Sequence, residues 1–135
     1  MKNKDPLWIV LSVVAIISFI IYACYDEIWD RILYWNVDIP SITKAAEAGD
    51  VEAQSTLGYY YLAGKGVKKD IAKGIEWTRK AAEQGDMLSQ YTLGRHYLSG
   101  NGVPKDKVEA VKWLSKSADQ GYPLAQEWLK KAEEE

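Results

Sequence analysis

Residues 45–80 and 81–116 carry one 36-residue pattern twice in direct tandem, with 18 of the 36 aligned positions identical. A third copy starts at Ser117 and runs for half a period, to residue 135. A fixed period in the range of about 20–50 residues marks a stack of supersecondary units, each burying its apolar face only against its neighbours. A stack of this kind has no single enclosed core in which to build a catalytic centre. Recognition by its surface is therefore the first functional expectation.

Within the period, the spacing predicts two helices per unit. In the first copy, Ala53, Leu57, Gly58, Tyr61 and Leu62 recur at intervals of three and four, which is one helical face over 51–63. Gly64 ends that helix, a loop with Gly66 follows, and Asp70 is placed to cap a second helix that carries Ile75 and Trp77 and ends at Gly85. The second copy predicts helices over 87–99 and from Asp106 to about 119, with Glu109 three residues after Asp106 in the pattern of a capping box. Residues 123–134 form a lone first helix. Upstream, Pro40 and Ser41 suggest a short helix over 41–48 capped by Ser41, the second helix of an incomplete unit. Gly58 and Gly94 fall in mid-helix, where glycine costs about 1 kcal/mol relative to alanine, so a close helix approach is expected there, with Trp77 and Trp113 filling the space alongside. No stretch alternates long enough to suggest a strand.

The N-terminal part obeys a different rule. Residues 7–25 contain no charge over 19 positions, roughly 28 Å of helix, close to the ~30 Å hydrocarbon core of a bilayer. Lys2 and Lys4 precede this segment whereas Asp26 and Glu27 follow it, which favours an N-terminus in the cytoplasm and the repeats outside it. A cleaved signal peptide is the competing reading, but its apolar core is usually shorter and Ile21 would stand three residues before the cut expected after Ala23. Cys24, the sole cysteine, also leaves open a lipidated form; as a buried small hydrophobe it needs no such role. Residues 26–40 place Ile28, Ile32 and Trp35 on one helical face beside Trp29 and Tyr34, either at the membrane–water interface or as a cap on the first unit.

The motif Ala45-Ala46-x-x-Gly49, then Ala53-Gln54-x-x-Leu57-Gly58-x-x-Tyr61-x-x-Gly64-x-Gly66-Val67-x-x-Asp70, then Trp77-x-x-Lys80-Ala81-Ala82, resembles the Sel-one-like repeat, a relative of the tetratricopeptide repeat. The second copy matches as fully. The resemblance covers 45–135 and implies antiparallel helix pairs stacked into a right-handed superhelix that holds proteins together. Some bacterial relatives are cysteine-rich, with a disulfide in each unit, and have been associated with cell-wall or β-lactam binding. Neither repeat here contains a cysteine, so that activity is not carried over.

The fold expected is thus all-α: a cytoplasmic stub (1–6), one transmembrane helix (7–25), an aromatic juxtamembrane segment (26–40) and a solenoid of helix pairs (41–135, with units 45–80, 81–116 and partial 117–135). Positions identical in both copies are explained by folding. Those that differ on the first helices are the candidates for binding a protein partner: Tyr59 against Arg95, Tyr60 against His96, Ser55 against Tyr91, together with Trp128 on the last helix. His96 is the only histidine and has no cysteine near it in sequence, which suits neither a zinc site nor a nucleophile–base pair. Gly64-x-Gly66 and Gly100-x-Gly102 follow no strand and read as inter-helix turns rather than phosphate loops. With a net charge of −2 and no basic stripe, nucleic acid is not an expected partner. No catalytic residue, cofactor or metal is expected. The function expected is a membrane-anchored adaptor at the outer face of the inner membrane, contacting lipid through 7–25, with self-association open to so short a stack. A periplasmic immunity protein or inhibitor, neutralising a secreted toxin or enzyme, is the alternative.

Overall fold

The computed structural model describes residues 10–22 and 37–134, in two units, Met1–Val37 and Asp38–Glu135. In the first unit, residues 10–22 are helical (α1), and every one of them is exposed. Among the described residues no helix is long and apolar enough to cross a membrane. Only 10–22 of the expected span 7–25 belongs to the described residues; its remaining positions and the expectations on Lys2, Lys4, Cys24, Trp29, Tyr34 and Trp35 lie outside them.

The second unit contains α2 (Ile39–Glu47), α3 (Val51–Ala63), α4 (Ile71–Glu83), α5 (Met87–Ser99), α6 (Lys107–Asp119) and α7 (Pro123–Glu134), and no strand occurs among the described residues. Aspartate begins the first five of these helices. Asp50, Asp70 and Asp86 each accept from the backbone N–H three residues on, at 2.7–3.0 Å, satisfying one of the orphan donors of the first turn. At α2 the cap is Asp38, which accepts from Ser41 N at 3.2 Å, and not Ser41 as expected. Pro40 lies inside the first turn, where its missing N–H would have no intrahelical partner in any case. At α6, Asp106 accepts from the N–H groups of Val108 and Glu109. The reciprocal half of the expected capping box is not made: Asp106 N donates to Tyr97 O, and the Glu109 carboxylate turns to Lys112 and Trp113.

The helices stack in sequence order: α2 on α3, α3 on α4, α4 on α5, α5 on α6 and α6 on α7, with α5 also touching α7. Leu57, Leu93 and Leu114 are fully buried, each contributing about 1.5–3 kcal/mol by removal from water. One cluster joins Ile75, Ala82, Leu93 and Trp113 across α4, α5 and α6; a second joins Tyr91, Leu114 and Ala125 across α5, α6 and α7. Each cluster draws on helices of two successive units, as a stack requires.

The two mid-helix glycines do mark close approaches, but not to the tryptophans. A Cβ on Gly58 would lie 2.6 Å from Thr78 Oγ1 and 3.0 Å from Thr78 N, and one on Gly94 would lie 2.7 Å from Leu114 Cγ. The residue after each tryptophan is the one that meets the glycine. Gly74 serves the same purpose from the other side, since a Cβ there would strike Leu62.

A polar ladder repeats with the period. Gln54 Nε2 donates to Ala46 O at 3.0 Å while its Oε1 accepts from Gln84 Nε2 at 2.7 Å. One unit later, Gln90 Nε2 donates to Ala82 O at 3.1 Å and its Oε1 accepts from Gln120 Nε2 at 2.8 Å. Gln84 and Gln120 also reach the carbonyls of Gly49 and Gly85. Each buried glutamine therefore joins the last turn of the preceding second helix to the glutamine at the end of the next, so that its own amide is not left unsatisfied.

Candidate binding groove between the first helices

The first helices of the units, α3, α5 and α7, present equivalent positions in rows across the stack. One row, spaced by 36 residues, is Tyr59, Arg95 and Lys131; the next is Tyr60, His96 and Ala132. Between α5 and α7 lies a groove of about 500 Å³, lined by residues that include Arg95, His96, Lys105, Trp128 and Lys131. Three of the six candidate residues, Arg95, His96 and Trp128, thus converge on one site.

Arg95 is exposed, and its guanidinium carbon sits 5.0 Å from the Trp128 ring centroid and 5.6 Å from that of Tyr91. Contact with two aromatic rings holds the planar fork in place by cation–π attraction. Among the described residues no carboxylate pairs with Arg95 or Lys105. Lys131 is already engaged: its Nζ lies 2.7 Å from Glu127 Oε1 and 4.9 Å from the Trp128 centroid. That hydrogen bond holds the Glu127 carboxyl below its ordinary range. The available positive charge in the groove is therefore that of Arg95 and Lys105.

The loop after α5 places Lys105. Gly100 adopts φ 69°, the left-handed conformation of a helix C-cap, and its N–H donates to His96 O at 2.9 Å. A Cβ at this glycine would approach the Lys105 Cβ to 3.2 Å, so the lysine stem can fold back over it. His96 Nδ1–H donates to the Asn101 carbonyl at 2.7 Å, stapling the same loop to α5 and leaving Nε2 for other contacts.

Three expectations are corrected by these positions. Tyr91 is not on the free surface: it is 7% exposed, within the cluster of Leu114 and Ala125, with its ring edge-on to Tyr122 at 4.9 Å. The physical reason lies in the repeat, because the preceding unit makes the same contact with different chemistry. Ser55 Oγ, at the position of Tyr91, donates to Asp86 Oδ2 at 3.0 Å, at the position of Tyr122. A polar pair in one interface has been replaced by an aromatic pair in the next. Trp128 is half-buried under Arg95 and Lys131 rather than standing exposed. His96, a candidate for contacting a partner from the face of α5, is half-buried and holds a loop. Tyr59 and Tyr60 lie on α3 with ring centroids 5.9 Å apart and do not line the groove; Tyr59 is 51% exposed.

Lys105 and Lys131 are absent from the candidates read from the sequence. Lys105 is identical to Lys69 in the alignment of the two copies, which assigned it to folding. Lys131 emerges only when the partial third copy is aligned under the first two. Among the described residues no group of His, Cys, Asp and Glu is arranged to hold a metal ion.

Stacked helix pairs with a 36-residue period and a groove across their first helices define an α/α solenoid of binding-repeat type. The chain belongs to the Sel1 repeat family, whose model matches residues 51–86, 88–122 and 122–135. Proteins built from this repeat generally mediate protein–protein interaction. Among solved structures, a Sel1 repeat protein from Oxalobacter formigenes is 37% identical with a TM-score of 0.64, over 70% of this chain and 71% of that one. The cysteine-rich protein B of Helicobacter pylori is 32% identical with a TM-score of 0.63, over 67% and 68% of the two chains. The protein c5321, a protective antigen present in uropathogenic Escherichia coli strains, is 42% identical with a TM-score of 0.66; 70% of this chain matches one fifth of that one. No curated protein sequence matches significantly.

Proposed function

We propose that the chain is a non-catalytic scaffold that binds a protein partner along its first helices while an N-terminal helix over 7–25 holds it in the inner membrane. The observation that carries the binding reading is the convergence of Arg95, His96 and Trp128 on one groove, at positions where the two full copies differ or where the third departs from both. Support for the anchor comes from α1: Val10, Leu11, Ile16, Ile17, Phe19 and Ile20 are 50–74% exposed on all sides of one helix, a surface that water would not tolerate and lipid would. With Lys2 and Lys4 ahead of the helix, the repeats face the periplasm.

The binding reading is tested by photo-crosslinking in intact cells from benzoylphenylalanine placed at Tyr59 or His96, with Val108, which is 76% exposed on α6, as the control. A discrete cross-linked protein from the first-helix positions and none from Val108 is expected. Equal labelling from all three, or none from any, refutes it. Should the captured protein be a secreted toxin alone, the role is that of an immunity protein rather than an adaptor. Topology is read separately from alkaline phosphatase fused after residue 135, which is active only outside the cytoplasm; a full-length but inactive fusion refutes the periplasmic placement.

A further inference from the structure

Resting on that binding reading, and deepening it, we propose that the α5–α7 groove recognises an acidic peptide segment of the partner, with Arg95 and Lys105 taking its carboxylates and Trp128 its aliphatic stems. Three observations combine. Arg95 is held by two aromatic rings, at 5.0 and 5.6 Å, so little side-chain freedom remains to be lost when a ligand docks. Its guanidinium donors meet no carboxylate among the described residues, and a fork of this shape matches a carboxylate bidentately. Lys105 brings to the same groove, from the loop, a second cation that meets no carboxylate among the described residues, whereas Lys131 is paired with Glu127.

The dimensions set the size of the ligand. A groove of about 500 Å³ lies within the ~300–1,000 Å³ that accommodates small ligands, so it takes a few side chains and not a folded face. Glu134 lines the same groove and opposes a second acidic group arriving at its own end, which directs the peptide's carboxylates towards Arg95 and Lys105. The lining also includes Leu98, an apolar partner for the methylene stems of glutamate. A peptide that alternates carboxylate and stem contacts fits this mixture better than a bare inorganic anion.

The test uses the full chain in uncharged detergent micelles and follows the Arg95 side-chain and Trp128 indole N–H resonances by NMR. The probes are acetyl-tetraglutamate amide, acetyl-tetraglutamine amide and glutarate. Tetraglutamate is expected to shift both resonances saturably and to bind at least tenfold tighter than tetraglutamine, weakening as salt is raised. Arg95→Gln and Lys105→Gln should each weaken it about tenfold, whereas Lys44→Gln, which removes an exposed positive charge on α2, should leave it unchanged. Arg95 and Lys105 are both exposed, and unchanged circular dichroism verifies that the variants fold. Three results overturn the proposal: no saturable shift, equal binding of tetraglutamine, or undiminished affinity in Arg95→Gln. Glutarate binding as tightly as tetraglutamate also overturns it, by assigning the groove to a small dicarboxylate. Cross-linking from Tyr59 that succeeds while tetraglutamate fails to bind leaves the scaffold reading standing and removes this one alone.

Discussion

Alanine at position 94 places a methyl group 2.7 Å from Leu114 Cγ and 3.1 Å from both Ala110 O and Leu114 Cδ2. Leu114 is fully buried and Ala110 O is backbone, so neither can swing out of the way. Two effects oppose one another. Replacing a mid-helix glycine gains about 1 kcal/mol of helix propensity, whereas overpacking a tight interface costs about 1–3 kcal/mol. The expected net effect of Gly94→Ala is a destabilisation of about 1 kcal/mol. Leu114→Ala alone leaves a cavity and costs about 2–5 kcal/mol. In that cavity the new methyl finds room, and its burial adds roughly 0.8 kcal/mol to the helix gain. Gly94→Ala should therefore change sign, becoming stabilising by about 1–2 kcal/mol in the Leu114→Ala background, where only the 3.1 Å approach to Ala110 O remains to offset the gain. The resulting coupling of about 2–3 kcal/mol is well outside the ~0.3–0.5 kcal/mol within which independent sites add. Urea unfolding followed by far-UV circular dichroism, at two protein concentrations to hold self-association constant, measures all four proteins. The same sign for Gly94→Ala in both backgrounds would refute the idea that this glycine exists to admit Leu114.

Other expectations come from single contacts. Gln90→Ala removes the acceptor of Gln120 and the donor to Ala82 O from a site 4% exposed, and should lower stability by about 1–3 kcal/mol in the same assay. Tyr91→Ala deletes a buried ring from the α5–α7 contact and should cost about 3–5 kcal/mol; a loss below 1 kcal/mol would mean that Tyr91 is a surface residue after all. Glu109 is held below its ordinary range, chiefly by the hydrogen bond from Lys112, with that of Trp113 assisting. A carboxyl lowered on folding contributes stability that is full above its unfolded value of about 4.3 and is lost as pH falls through its folded value. The urea midpoint should accordingly fall as pH is lowered below about 4.3, less steeply in Glu109→Gln. Added salt should shrink the difference, because the Lys112 side chain is 52% exposed.

The helices were legible in the sequence because each is announced by its own local chemistry. Aspartate before α4 and α6 and glycine after α3 and α5 mark the ends of their segments, and α3, α5, α6 and α7 end within a residue of where the pattern places them. Pro40 misled because its rule acts on the residue before it, while a first-turn proline is compatible with helix. The partners of Gly58 and Gly94 were not legible for a different reason. Trp77 and Thr78 are neighbours in sequence but about 100° apart around a helix, and only the packing angle decides which faces the glycine.

The groove was the least legible part, because identity between copies is an unsafe guide to which positions are free. Tyr91 differs from Ser55 and so looked available, yet both are committed to the residue that starts the next unit's first helix, Tyr122 in one case and Asp86 in the other. The change at 91 is matched by a change at 122, and neither position alone discloses it. Lys105 shows the converse, since it is identical to Lys69 but lines a groove with a tryptophan at 128, the position that Thr92 holds one unit earlier. One substitution in the third copy thus gives an unchanged lysine a new setting. The same copy has Lys130 where Gly58 and Gly94 stood, so this position lacks the small residue through which α3 meets Thr78 and α5 meets Leu114.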